Sequence, residues 1–206
     1  MTCHPTRSVL LAALALAWVG PAFASETGDW AVSVGAHSVN PRSDNGALAA
    51  GALKTDVGSD WKPTITAEYF VSPRLGVEVL AAVPFEHDIA LNGVHAGSTK
   101  HLPPTVSLQY HFDGKKVSPF VGVGVNYTAF FNTKTTGPLA GANLDLANSW
   151  GLAAHAGIDF TLKEGQALRV DARWIDIDTD ASVNGVDVGT VHIDPLVYGV
   201  AYVWTF

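Results

Sequence analysis

The chain has 206 residues, 48% of them hydrophobic and 15% charged, with 12 Lys and Arg against 19 Asp and Glu for a formal net charge of −7. That acidity excludes nucleic acid as a natural partner, because phosphate backbones demand a basic footprint. The single cysteine, Cys3, falls in a segment expected to be cleaved, so the mature chain is expected to have neither a disulfide framework nor a lipidated first residue.

Arg7 precedes the apolar run Val9 to Val19, and Ala22-Phe23-Ala24 supplies the small residues of a cleavage site, so residues 1–24 read as a secretory signal peptide with the mature chain starting at Ser25. Its removal takes one of the 12 basic residues and none of the 19 acids, which moves the net charge from −7 to −8. Nothing downstream approaches the ~20 consecutive apolar residues of a spanning helix, so a route into a membrane would have to use strands. No linker or low-complexity tract divides residues 25–206, which read as one domain.

Eight segments of that domain alternate in polarity: 28–39, 63–71, 75–86, 100–112, 118–131, 148–161, 167–179 and 191–206. Most exceed the ~9–11 residues that cross the hydrocarbon at a tilt, so some strands should project beyond the bilayer. Ser72-Pro73-Arg74, Asp113-Gly114-Lys115-Lys116 and Lys163-Glu164-Gly165-Gln166 have the composition of tight turns. The intervening stretches 40–62, 87–99, 132–147 and 180–190 are longer and rich in Gly, Asn, Asp and Thr. Short turns at one end and long loops at the other predict an all-β fold: an eight-stranded antiparallel transmembrane barrel with periplasmic turns, extracellular loops and both termini in the periplasm. The last segment agrees, since Tyr198, Tyr202, Trp204 and Phe206 share one strand face, an aromatic edge that suits lipid better than water.

Alternation also assigns faces. On the third segment Leu75, Val77, Val79, Ala81, Val83 and Phe85 face lipid, leaving Gly76, Glu78, Leu80, Ala82, Pro84 and Glu86 inside; on the seventh, Leu168, Val170, Ala172 and Trp174 face out while Arg169, Asp171 and Arg173 point in. The same rule places Glu68, Gln109, His111, Asn126, His155 and Asp159 in the lumen. Charge collects on one side of the wall, as it must where a lipid-facing charge costs roughly 2–4 kcal/mol at mid-bilayer. An eight-stranded interior is narrow enough for side chains to fill, so Glu68, Glu78, Arg169, Asp171 and Arg173 read as an ion-paired plug rather than the lining of an aqueous pore or a proton relay.

Pro84 and Pro103-Pro104 fall at matching distances from the middle of one loop, and each proline removes a ladder donor. Two readings stand: a weak seam that lets an apolar solute leave sideways into lipid, and a bulge that ends the hairpin. Leu80, Ala82 and Pro84, with Phe70 and Phe130 on neighbouring strands, are the candidate lining of an apolar pocket above the charges.

The segments Gly76-Val77-Glu78-Val79-Leu80-Ala81-Ala82-Val83-Pro84-Phe85, His101-Leu102-Pro103-Pro104-Thr105, Pro119-Phe120-Val121-Gly122-Val123-Gly124-Val125-Asn126-Tyr127-Thr128, Ser149-Trp150-Gly151, Ile175-Asp176-Ile177-Asp178-Thr179 and the aromatic last strand resemble those of the OmpW family of outer-membrane proteins, in the same order. The resemblance implies an eight-stranded barrel in the Gram-negative outer membrane, passive uptake of small hydrophobic molecules, and assembly by machinery that reads a C-terminal strand such as the one ending in Phe206. No cofactor is expected. Arg173 in the lumen argues against an apolar passage through the full depth of the barrel.

Two rival functions compete. Catalysis needs a nucleophile oriented by a base, and no serine stands by parity beside His155 and Asp159, so no catalytic residue is assigned. His87, His95 and His101 lack tight ligand spacing and read as solvated loop residues, with no metal site. The second rival is a structural or adhesive barrel acting through its loops, with which the Gly- and Thr-rich loops are compatible.

Overall fold

The computed structural model describes residues 25–206; the expected signal peptide, residues 1–24, lies outside them. In chain order the strands are β1 (Trp30–Asn40), β2 (Ala47–Leu48), β3 (Leu53–Val57), β4 (Asp60–Ser72), β5 (Leu75–Ala82), β6 (Phe85–Leu91), β7 (Val94–Leu102), β8 (Thr105–His111), β9 (Val117–Thr135), β10 (Leu144–Leu146), β11 (Ser149–Lys163), β12 (Gln166–Ile175), β13 (Asp178–Val183), β14 (Val186–His192) and β15 (Leu196–Thr205). A short 3-10 turn, Gly137–Leu139, follows β9.

Eight of these close into an antiparallel barrel, β1-β4-β5-β8-β9-β11-β12-β15, with β15 returning to β1 over Ala31↔Thr205 to Asn40↔Leu196. The three tight turns fall where composition puts them. The long segments are less irregular than expected. Residues 87–99 and 180–190 form most of two hairpins, β6–β7 and β13–β14, that prolong the barrel wall at the loop end. Both turn on Asn-Gly pairs with positive φ at each residue (Asn92 50°, Gly93 76°; Asn184 51°, Gly185 79°), the conformation whose twist matches the flanking strands. Residues 40–62 hold the small β2–β3 hairpin, which pairs onto β6, and 132–147 hold the 3-10 turn and β10, which pairs onto β13.

Outside, the wall is apolar and flanked by aromatic side chains. Trp30 and Tyr69, Tyr202 and Trp204, and Tyr110 and Phe112 pack together at the turn end. Tyr127 and Trp150 do so at the loop end, where Trp61 is also exposed. Such girdles mark the two membrane interfaces, and β6, β7, β13 and β14 rise beyond the second one.

Inside, the predicted parity holds with one exception. Leu80 and Ala82 face in, but Phe85 is buried and Glu86 exposed, the reverse of the expected assignment. The strand breaks at Val83 and Pro84, and a slip of one residue there sends the side chains of β6 to the face opposite the expected one.

Candidate functional site

The lumen is stratified along its axis. At mid-wall lies a layer of buried charge. Glu78, on β5, accepts from Arg173 Nη1 at 2.7 Å and from Arg169 Nη1 at 3.2 Å. Arg169 also grips Asp159 from Nε and Nη2, both at 2.8 Å, and Arg173 Nε reaches Asp171 at 2.8 Å. Glu68 lies 3.8 Å from Arg169 and is held by Gln109 at 2.9 Å and by His111 at 2.8 Å. Thus the five residues expected to form the plug meet in one network, and sequence reasoning had not joined four others to it: Asp159, Gln109, His111 and His37, the last 3.0 Å from Asp171. Parity alone makes them inward-facing; only register shows that they share one height. The Arg169 guanidinium also lies 4.3 Å above the Phe120 ring, a cation–π contact that covers one of its faces. Four carboxylates and two guanidinium groups thereby find partners among themselves and the neighbouring side chains, as buried charge requires.

On the turn side of this layer an open vestibule of about 510 Å³ is lined by Phe70, His111, Asp159 and Arg169 among others. Phe70 therefore does not join the apolar pocket above the charges. It is two residues beyond Glu68 toward the turn, packed with Ala31 and Val203 and against the His111 ring.

On the loop side the lumen becomes apolar. A lower cavity of about 20 Å³ is lined by Leu80, Ala82 and Pro103, together with Val39, Phe85, Ile175 and His101. An upper cavity of about 50 Å³ is lined by Leu53, Ile89, Phe130, Leu144 and Val191, with His87 at its base. Between the two stands an aromatic neck. The His101 ring stacks on Phe130 (5.7 Å, 24°) and meets Phe85 edge-on (5.7 Å, 63°), while His87 Nε2 lies 2.9 Å from His101 Nε2. His87 and His101 are thus buried, contrary to the expectation of solvated loop residues; only His95 is exposed. Because Pro84 breaks the strand, His87 comes to the inner face, where burial pushes its pKa down and takes that of His101 down to about 3.

The wall beside the lower cavity is incomplete. The β5–β8 ladder ends at Leu80↔Thr105, and the β6–β7 ladder starts again only at Phe85↔His101. Across the intervening residues 81–84 and 102–104 no pairs form. Neither flank drifts free. Val83 N donates to Pro63 O of β4, and Tyr127 N of β9 donates to Pro104 O at 3.0 Å. Asn126, fully buried, donates from Nδ2 to Pro103 O, Pro104 O and Thr105 Oγ1 at 3.0–3.2 Å. Pro103 lines the cavity, Pro104 is half-buried on the other face, and Pro84 sits at the break opposite.

Asp178, His192 and Asp194 at the loop-end rim could bring three ligand atoms within 4.8 Å of one another. They are already engaged, His192 with Asp178 at 2.6 Å and Asp194 with Arg42 at 2.9 Å.

A sequence model of the OmpW family matches residues 26–206. Outer membrane protein W of Vibrio cholerae is 37% identical over 205 residues, covering 93% of this chain and 94% of that one. Among solved structures, the crystal structure of OprG from Pseudomonas aeruginosa superposes with a TM-score of 0.80 at 32% identity, covering 88% of this chain and 97% of that one. The NMR structure of Escherichia coli outer membrane protein W gives a TM-score of 0.64 at 29% identity, over 88% and 99%.

Proposed function

The chain belongs to the OmpW family of outer-membrane proteins, and from that premise we propose that it is a passive channel for small hydrophobic molecules, which it releases sideways into the membrane. The observation that carries the proposal is the coincidence of an apolar cavity with an unpaired stretch of wall. Leu80, Ala82 and Pro103 line the cavity at the height where the β5–β8 ladder stops. A solute entering from the extracellular side meets apolar walls down to Ala82 and Leu80, and then the ionic layer. To cross that layer it would have to displace buried ion pairs, a loss of several kcal/mol. To part residues 81–84 from 102–104 it breaks no ladder bond.

Cavities this small do not hold a hydrocarbon of any size as they stand, so passage calls on side-chain motion at the neck. The β-barrel machinery is the assembly partner that the aromatic last strand suggests.

The test is entry of a small apolar dye into outer-membrane vesicles with and without the protein, including the double variant Pro103→Thr, Pro104→Val at matched, folded expression. Because Pro104 O already faces β9, the N–H restored at position 103 is the one that points toward β5; it should add a ladder bond across the gap and slow entry. An unchanged rate removes the lateral route, and no difference from empty vesicles returns the barrel to the structural or adhesive reading.

A further inference from the structure

The aromatic neck carries a polar asymmetry that a purely apolar channel does not need. His87 Nδ1 lies 2.5 Å from Gly58 O. A carbonyl oxygen only accepts, so Nδ1 carries the proton. In a neutral imidazole the other nitrogen is then an acceptor, so His87 Nε2 presents a lone pair to His101 Nε2, 2.9 Å away. His101 Nε2 must donate. The proton of the His101 ring is thereby spent, and His101 Nδ1 is left as an acceptor. That nitrogen is buried, and among the described residues no group donates to it. The ring itself is 1% exposed; its carbon atoms border the lower cavity with Leu80, Ala82, Phe85 and Pro103, and Nδ1 is sealed from that cavity until the neck moves.

A buried acceptor without a donor costs about 1–3 kcal/mol, and such a group in a native fold calls for an explanation. We infer that His101 Nδ1 is a recognition point for the solute, and that the preferred ligands are hydrophobic molecules bearing one hydrogen-bond donor, phenols and long-chain alcohols, over hydrocarbons and ethers of the same shape. The inference rests on the uptake reading above and narrows its substrate class. Once the neck moves to admit it, the apolar body lies against Leu80, Ala82 and Pro103, while its hydroxyl donates to the one acceptor that the His87–His101 relay leaves open. Thr55 Oγ1, buried without a partner beside the upper cavity, adds a second polar contact on the way in. A hydroxyl there both donates and accepts, so it does not discriminate; the histidine does.

The probes are 1-naphthol and 1-methoxynaphthalene, which share a ring system and differ in the donor. Binding of each to the full mature barrel in detergent micelles should favour naphthol, and the preference should fall roughly five- to tenfold in the double variant His87→Phe, His101→Phe, which keeps two rings in the neck and removes both imidazole acceptors. Equal preference in the wild type and in the variant overturns the inference. Should the double variant fail to fold, the nitrogen resonances of the wild-type His101 decide. Naphthol is expected to move His101 Nδ1 and the ether to leave it in place; a resonance indifferent to both overturns the assignment. Flux into vesicles is read in parallel. Selective binding without faster entry sinks the uptake reading alone, whereas faster entry of both probes at equal rates, with equal binding, sinks the hydroxyl preference alone.

Discussion

Arg173 donates to Glu78 at 2.7 Å in a layer where neither side chain is more than 2% exposed. The layer holds Glu68, Glu78, Asp159 and Asp171 against only Arg169 and Arg173, so the two ends of this pair are not equivalent. Arg173→Met strips two carboxylates of a donor and raises the acidic excess. It is expected to lower the unfolding free energy by about 3–5 kcal/mol. Glu78→Gln relieves that excess while losing charge-assisted bonds, and is expected to cost less, about 1–3 kcal/mol. Urea unfolding in lipid vesicles ranks the two; a reversed order contradicts this account of the layer.

Gly76 is a steric partner of the same network. A Cβ built there would stand 2.1 Å from Glu68 Oε1. Glu68 cannot simply swing away, since Gln109 and His111 hold both its oxygens. Gly76→Ala is therefore expected to destabilise the barrel by about 1–3 kcal/mol, measured by the same unfolding midpoint.

Asn126 is the clamp on the proline segment. Asn126→Ala removes the amide donors to Pro103 O, Pro104 O and Thr105 Oγ1 and takes the acceptor from the buried Thr128 hydroxyl, while Thr105 Oγ1 still donates to Pro103 O and Tyr127 N to Pro104 O. A loss of about 1–3 kcal/mol is expected. Amide exchange should also quicken at Tyr127, whose N–H bonds Pro104 O. Exchange unchanged at Tyr127 would mean that the segment is anchored elsewhere.

The neck predicts a pH dependence. His101 titrates at about 3 in the fold, against 6.5 when free, and His87 is shifted the same way; burial is the main cause for both, mutual proximity disfavours charge on His101, and Asp60 opposes the shift in both. With folded pKa values depressed, the unfolded hairpin binds more protons, so stability rises with pH. The β6–β7 hairpin should be fully stable above about pH 6.5 and weaken progressively as pH falls from there toward 3. Limited proteolysis of the extracellular face between pH 7.5 and 5 reads this out. His101→Phe should flatten the dependence, and an unaltered slope assigns it to other groups.

Much of the barrel is legible in the chain because membrane strands obey a period of two: the faces of Arg169, Asp171, Arg173 and Glu78 follow from neighbours two residues away. Register is another matter. That Glu78 and Arg173 meet across the lumen depends on the stagger of strands that are not adjacent, which alternation does not encode. Phe70 shows the same limit, for its face is right and its height is on the wrong side of the charges. At Pro84 the period itself fails. The break at Pro84 shifts the parity of β6, which turns Phe85 and His87 inward, while Gln109 and Asn126 further along keep their expected faces. The Asn92-Gly93 and Asn184-Gly185 turns are a different case, because an Asn-Gly pair between alternating segments is a strong local hairpin signal. They read as loops only when strand length is judged by what a bilayer needs.

The ring of strands is fastened by its two ends. Trp30 N donates to Phe206 O and Phe206 N to Trp30 O, both at 2.9 Å, joining residues that almost the whole described chain separates. The barrel is thus closed by bonds between residues far apart in sequence, and a closure of that length carries a large loop-entropy cost. The same fastening works in reverse. In a cylinder no strand peels from a free edge, since each is bonded on both sides, so unravelling must begin by tearing two ladders at once. Persistence in the membrane then becomes a matter of rate as much as of equilibrium.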